Sequence, residues 1–462
     1  MTTRRCGYAA ASLAGLFWLG LLYVVIVRPQ ISGDTSALVT GAHAVRDCIE
    51  NGRIGDCPQA QHFALLQYLP AFVLDMVGLS VDHAMRVLAV LSLIAYAGMT
   101  LLIVVALNRL VPRGGWALGL LLMLSGPFIW YATASFGEAL AAWAVAAFAV
   151  ALLLRWPAWA VVILGLLAAI SKETSPPLLL LLALACYLLR AGTFRRRDLL
   201  TWGLPVGLGL LGGATASALF NQIRFGAFSN PVLLQPSFRT PGNRLKTEFF
   251  TGLWLSPNAG FIALWPVLVG LVVFAGVWAL RAIRRNRPES VAVLTVLLVL
   301  ALSTAGLATW AFPFGWIAWG PRLSLPIIPA AALILLVAVG PALVRRLQRV
   351  WVAVLVGALA AWGLLVNVGA TVAAGKVLAQ TFFVPVGACA QDTVIQSNPT
   401  GYFQCMSQMT WQPTRTVLVA LSEAWHGWGI VVSLAGMLAL SCCVLAIIWQ
   451  GRAPRAEPAI KG

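Results

Sequence analysis

At 462 residues, 60% hydrophobic and only 10% charged, the chain is too apolar for a water-soluble domain and reads as an all-α polytopic membrane protein. Its formal charge is +17, but the basic residues stand in short clusters between apolar runs. That excludes a nucleic-acid face and marks them as topology signals.

The first run, Tyr8 to Val27, follows Arg4 and Arg5 and has no small-residue cleavage motif before Arg28-Pro29, so it reads as a retained helix entering from the cytoplasm. Directly after it, Gly33 frees the backbone to turn and Asp34 opens a segment in which Leu38, Ala42, Val45 and Ile49 recur at helical spacing, a helix lying on the bilayer surface. Asp34 then has two readings, an N-cap for that helix or a functional carboxylate at the mouth of the membrane.

Runs of membrane-spanning length give about twelve helices, near 8–27, 84–107, 115–131, 137–154, 157–171, 176–190, 199–220, 260–280, 290–311, 321–343, 350–372 and 425–449. A further run, Phe63 to Leu79, is interrupted by Gln67, Pro70 and Asp75. Left out of the count as a second surface helix, it puts 19 of the 31 Lys and Arg residues in short cytoplasmic loops, as the positive-inside rule asks. Residues 1–449 are then a single transmembrane domain with both termini cytoplasmic, three long outer loops (28–83, 221–259 and 373–424) and a disordered tail at 450–462. Eleven of the 14 acidic residues fall on or near the outer face, which places any chemistry there.

Cys48 and Cys57 share the first outer loop and Cys389 and Cys405 the last, so an oxidising exterior predicts the bonds Cys48–Cys57 and Cys389–Cys405. Four His without Cys-x-x-Cys or His-Glu-x-x-His spacing mark no metal site.

Six ionisable residues fall at outer helix ends: Asp34, Glu138, Lys172, Glu173, Arg224 and Arg322. Ser135-Phe136-Gly137-Glu138 matches a capping box, which would give Glu138 a local role. Lys172 follows a helix end, where a cation suits the dipole, and could pair with Glu173. Gly320-Pro321-Arg322 puts a cation in the first turn of a helix, an end already partly positive, and so calls for an anion such as phosphate. Before it, Trp310, Phe312, Phe314, Trp316 and Trp319 read as an interfacial aromatic belt.

The set Gly33-Asp34, Ser171-Lys172-Glu173-Thr174, Asn221 to Gly226, Leu255 to Pro266 and Trp316 to Pro326 resembles, in its order, the GT-C superfamily of membrane glycosyltransferases that use polyprenyl-phosphate sugars. The resemblance implies Asp34 as catalytic base, with Lys172, Arg322 and Arg224 as binders of the donor phosphate and Glu138 or Glu173 as candidate second carboxylate. The family often has two adjacent acidic residues where this chain has Asp34-Thr35. No cofactor is therefore certain, and room is left for a divalent metal.

What this implies is an inverting hexosyl- or pentosyltransferase in the plasma membrane. It would move a sugar from a polyprenyl-phosphate donor to a hydroxyl of a cell-envelope glycan, lipid or protein acceptor on the extracytoplasmic face, with the bilayer and no nucleic acid as partner. The alternatives are a secondary transporter, which predicts related halves and midplane charges, and a lipid-linked-sugar flippase or assembly factor without catalysis.

Overall fold

The computed structural model describes residues 3–27, 33–57, 63–111, 113–134, 137–191, 199–231, 239–283, 288–310, 313–314, 319–373, 399–411 and 416–452. Among them the chain is helical, with one isolated bridge, Arg239 to Trp310. In order, α1 (Thr3–Val27) leads to α2 (Gly33–Glu50), α3 (Leu65–Met76), α4 (Val81–Leu110), α5 (Gly115–Leu124) and α6 (Phe128–Tyr131). Then come α7 (Glu138–Leu153), α8 (Ala158–Ala169), α9 (Ser175–Ala191), α10 (Leu204–Phe225), α11 (Asn243–Leu255) and α12 (Phe261–Leu264). The rest are α13 (Pro266–Ile283), α14 (Pro288–Ala308), α15 (Ile328–Leu347), α16 (Val350–Val372), α17 (Pro399–Trp411), α18 (Thr416–Glu423) and α19 (Trp428–Arg452).

The protein is a multi-pass membrane protein: among the described residues eight helices are long and apolar enough to cross a bilayer (α1, α4, α10, α13, α14, α15, α16 and α19). The other four expected runs hold the shorter apolar helices α5, α7, α8 and α9. The run at 115–131 is broken at Ser125-Gly126-Pro127. There the Ser125 hydroxyl donates to Leu121 O and Leu122 O, and Gly126 lies against the Trp265 ring, where a Cβ would come within 2.6 Å. Helix α3, at 12 residues, is about 18 Å long.

Helix α7 is the axis of the bundle. Its sequence, EALAAWAVAAFAVALL, has no polar stripe, and all but two of its 16 residues are buried, because a helix apolar all round is stable only when neighbours cover it. Small alanines let α4, α8, α9 and α15 approach it. On its flank α8 and α10 touch nearly backbone to backbone: a Cβ on Gly209 would fall 2.7 Å from Val162 O.

Seventeen residues or fewer make α7, α8 and α9 at most about 25 Å long, against about 30 Å of hydrocarbon. Arg155 and Arg190, beyond α7 and in the last turn of α9, are exposed at one end and suited to the membrane interface. Glu138 and the α8–α9 turn lie at the opposite end of these helices.

Helices α2 and α3 pack on each other beside that end. Leu38, Val39, Ala42 and Val45 join Phe63, Tyr68, Met85 and Phe220 in a small separate core. Asp75 of α3 takes Arg46 Nη1 at 2.9 Å and faces His43 Nδ1 at 3.1 Å, which locks the pair together.

The expected Cys48–Cys57 bond is not formed: both are buried free thiols. The loop that it would close is already tied to α10 by the Gly55 amide on Ile223 O at 2.8 Å and the Cys57 amide on Arg224 O at 3.1 Å. Burial, reinforced by the Cys48 sulfur, pushes the Cys57 thiol up to about 12, so it holds its proton and makes a poor exchange nucleophile. Cys405 is disulfide-bonded, while Cys389 lies outside the described residues.

Candidate active site

Three segments meet at this end: the start of α7, the turn Ile170–Thr174 between α8 and α9, and the loop from Trp319 into the short 3-10 turn Arg322–Ser324. Gly137, at φ 80°, turns the chain into α7 where an L side chain would be strained, and a Cβ there would strike the Gln67 side chain. Among the described residues no side chain caps the helix, and Ser135, the other half of the expected capping box, lies outside them. Glu138 Oε1 accepts from Arg322 Nε at 2.7 Å, with the two residues 2% and 5% exposed. The second oxygen, Oε2, is buried and accepts no hydrogen bond among the described residues.

Arg322 is not in the first turn of a long helix, as the sequence suggested, since α15 starts only at Ile328. Pro326 and Pro329 lack the amide N–H that would join the preceding turn to that helix. The loop instead holds Arg322 by anchoring Trp319. Tyr131 donates to Trp319 O at 2.7 Å, and the Trp319 indole N–H donates to Asn367 Oδ1 at 2.8 Å. The Asn367 amide in turn donates to Leu264 O and Gly363 O, at 2.8 and 2.7 Å, so one buried asparagine ties three segments together. Trp319 and Phe314 are thus core residues rather than members of an interfacial belt, because the loop folds inward to deliver Arg322.

Lys172 and Glu173 point to different partners. The Lys172 ammonium donates to Leu323 O at 3.0 Å and feels both Glu138 and Arg322. Among the described residues no carboxylate oxygen lies within 4 Å of it, and the Leu323 bond leaves two of its three N–H donors unused. Glu173 pairs instead with Arg224, Oε1 to Nη2 at 3.7 Å, so the local Lys172–Glu173 pair is not made.

Arg224 lies beside this group. It is 1% exposed, donates to Phe63 O at 2.9 Å and to Asn221 Oδ1, and lies against the rings of Tyr68, Phe220 and Phe225 at 5.2, 4.2 and 4.7 Å. These contacts, with the ion pair to Glu173, tie α10 to α3 and to the α8–α9 turn.

Helix α3 completes the enclosure, with the Leu66 amide on Ile170 O at 3.1 Å and Gln67 against Gly137. Tyr68 and Asn367 were not singled out from the sequence, and Gln67 was marked only as an interruption of an apolar run. Asn367 had a signal, an amide within an otherwise apolar run. Asp34 lies in the first turn of α2, and its side chain is outside the described residues. The structure thus joins Lys172 and Arg322, adds Glu138 to them, links Glu173 and Arg224 alongside, and leaves Asp34 placed by its backbone alone. Among the described residues no three of His, Cys, Asp and Glu are grouped to hold a metal ion.

No protein family matches the chain, and no curated relative does. Among solved structures it is similar to ArnT from Cupriavidus metallidurans. Against the crystal structure bound to undecaprenyl phosphate the identity is 13% over 97% of this chain and 78% of that one, with a TM-score of 0.45. Against the apo crystal structure the identity is 16% over 95% and 78%, with a TM-score of 0.47.

Proposed function

We propose that the protein is an inverting membrane glycosyltransferase. It takes a sugar from a polyprenyl-phosphate donor and places it on a hydroxyl of a cell-envelope glycan, lipid or protein, at the extracytoplasmic end of the bundle. The observation that carries this reading is Lys172: an ammonium without a carboxylate partner among the described residues, beside a buried Glu138–Arg322 pair, in the turn between two apolar helices. A cation is costly there unless an anion shares the site, and the anion that a bilayer offers is a lipid phosphate.

In the proposed step Asp34 takes the proton of the acceptor hydroxyl as its oxygen attacks the anomeric carbon from the face opposite the phosphate. The bond from that carbon to the phosphate oxygen breaks, and its electron pair leaves with the polyprenyl phosphate. The phosphate gains a negative charge as it departs, so Lys172 and Arg322 hold the transition state more tightly than the bound donor. Glu138 and Glu173 each face a guanidinium, and the base role is assigned to Asp34 on the family resemblance. The vacant Glu138 Oε2 accepts from a donor sugar hydroxyl. One base and one displacement give inversion. The test is a transfer assay on the purified protein with a panel of polyprenyl-phosphate sugars. Turnover of none, with transport of a lipid-linked sugar in vesicles, overturns the reading in favour of a flippase.

A further inference from the structure

At the opposite end of the bundle a cleft of about 810 Å³ opens between α5, α13, α15 and α16. Helix α15, 20 residues or about 30 Å long, separates it from Arg322. Four guanidinium groups rim it: Arg281 from α13, Arg345 and Arg346 from the last turn of α15, and Arg349 from the turn into α16. All four are exposed, no carboxylate lines the cleft, and none of the four is in an ion pair among the described residues. Beyond the rim the walls are apolar, from Trp278 and Trp351 at the mouth down to Gly270 and Leu359. From Arg281 to Gly270, and from Arg349 to Leu359, the depth is about 15 Å at helical rise. That is half of the roughly 30 Å hydrocarbon layer, the length of one leaflet.

We propose that this cleft is a binding site for an anionic phospholipid of the leaflet at that end, with its phosphate on the four arginines and an acyl chain along Gly270 and Leu355. The charge selects the headgroup and the depth selects the chain, since a polyprenyl tail is longer than one leaflet. Whatever their part in topology, these four arginines come from three elements to one opening among the described residues. Gly270 offers a separate handle on the chain, because a Cβ built there meets nothing within 4 Å.

The test uses the full chain in nanodiscs of phosphatidylglycerol and phosphatidylcholine, with retained lipid read by native mass spectrometry. The wild type should keep phosphatidylglycerol in preference. The triple variant Arg345→Gln, Arg346→Gln, Arg349→Gln should lose about fivefold in preference for each guanidinium removed. Gly270→Leu, with its charges intact, should lose retention of the lipid by filling the cleft. Equal retention of the two lipids by the wild type, or unchanged preference in the arginine variant, overturns the proposal. Preferential displacement of phosphatidylglycerol by added polyprenyl phosphate overturns the assigned occupant. The arginine substitutions are at exposed positions, so the test stands even if Gly270→Leu does not fold.

Discussion

Glu138 and Arg322 are 184 residues apart in the chain and 2.7 Å apart in the structure, and both are buried. Their pairing fixes the head of the central helix to the loop before α15. Removing one member leaves the other charge without its partner at a site where water cannot replace it. Glu138→Gln should therefore destabilise the protein by about 3–5 kcal/mol, whereas the paired replacement of Glu138 by Gln and Arg322 by Met should recover most of that loss. Thermal unfolding of the purified variants in one detergent reads both. A single variant as stable as the wild type would mean that the pair contributes no structural coupling.

Lys172 should behave in the opposite way. It is a half-buried cation without a carboxylate partner among the described residues, so Lys172→Met should leave stability unchanged or raised. The same change removes a charged contact to the donor phosphate and should lower kcat/KM for the donor by roughly 10–100-fold. Steady-state kinetics alongside the melting curves separate the two effects. A variant that loses both stability and activity in proportion would make Lys172 a structural residue.

These two residues also show where the sequence could and could not be read. Apolar runs announce helices because their length is fixed by the bilayer, so each of the twelve runs holds a helix, as does the interrupted run Phe63 to Leu79. Partners are another matter. Gly320 to Arg322 carries a local signal for a helix start, and it was overridden by a contact between distant segments that no local pattern encodes. The same holds for Trp319, whose neighbours suggest an interface although Asn367 draws it inward.

Asp34→Asn isolates the proposed base. Asparagine caps a helix about as well as aspartate, so the variant should fold, express and melt like the wild type. An amide cannot take the acceptor's proton, and transfer should fall by about 10²–10⁴-fold with donor binding retained. Retention of near wild-type turnover would reduce Asp34 to a cap and remove the base from the proposed step.

The pH dependence separates function from folding by sign. Lys172 lies in the turn between α8 and α9, and burial lowers its ammonium to about 8, with Glu138 opposing the shift and Arg322 adding to it. Donor binding needs the protonated form, so kcat/KM for the donor should fall above pH 8, about tenfold per unit, while the bound phosphate moves the corresponding limb of kcat upward. Stability runs the other way. The unfolded lysine keeps its ordinary value of 10.5, so between pH 8 and 10.5 the unfolded chain binds more protons than the folded one. In that window this group's contribution to stability rises with pH. Activity lost between pH 8 and 9 should thus come without a drop in melting temperature from this residue. Lys172→Arg, which holds its proton throughout, should shift the activity limb to higher pH. A limb that stays at the same pH in Lys172→Arg would assign it to another group and remove Lys172 from the phosphate site.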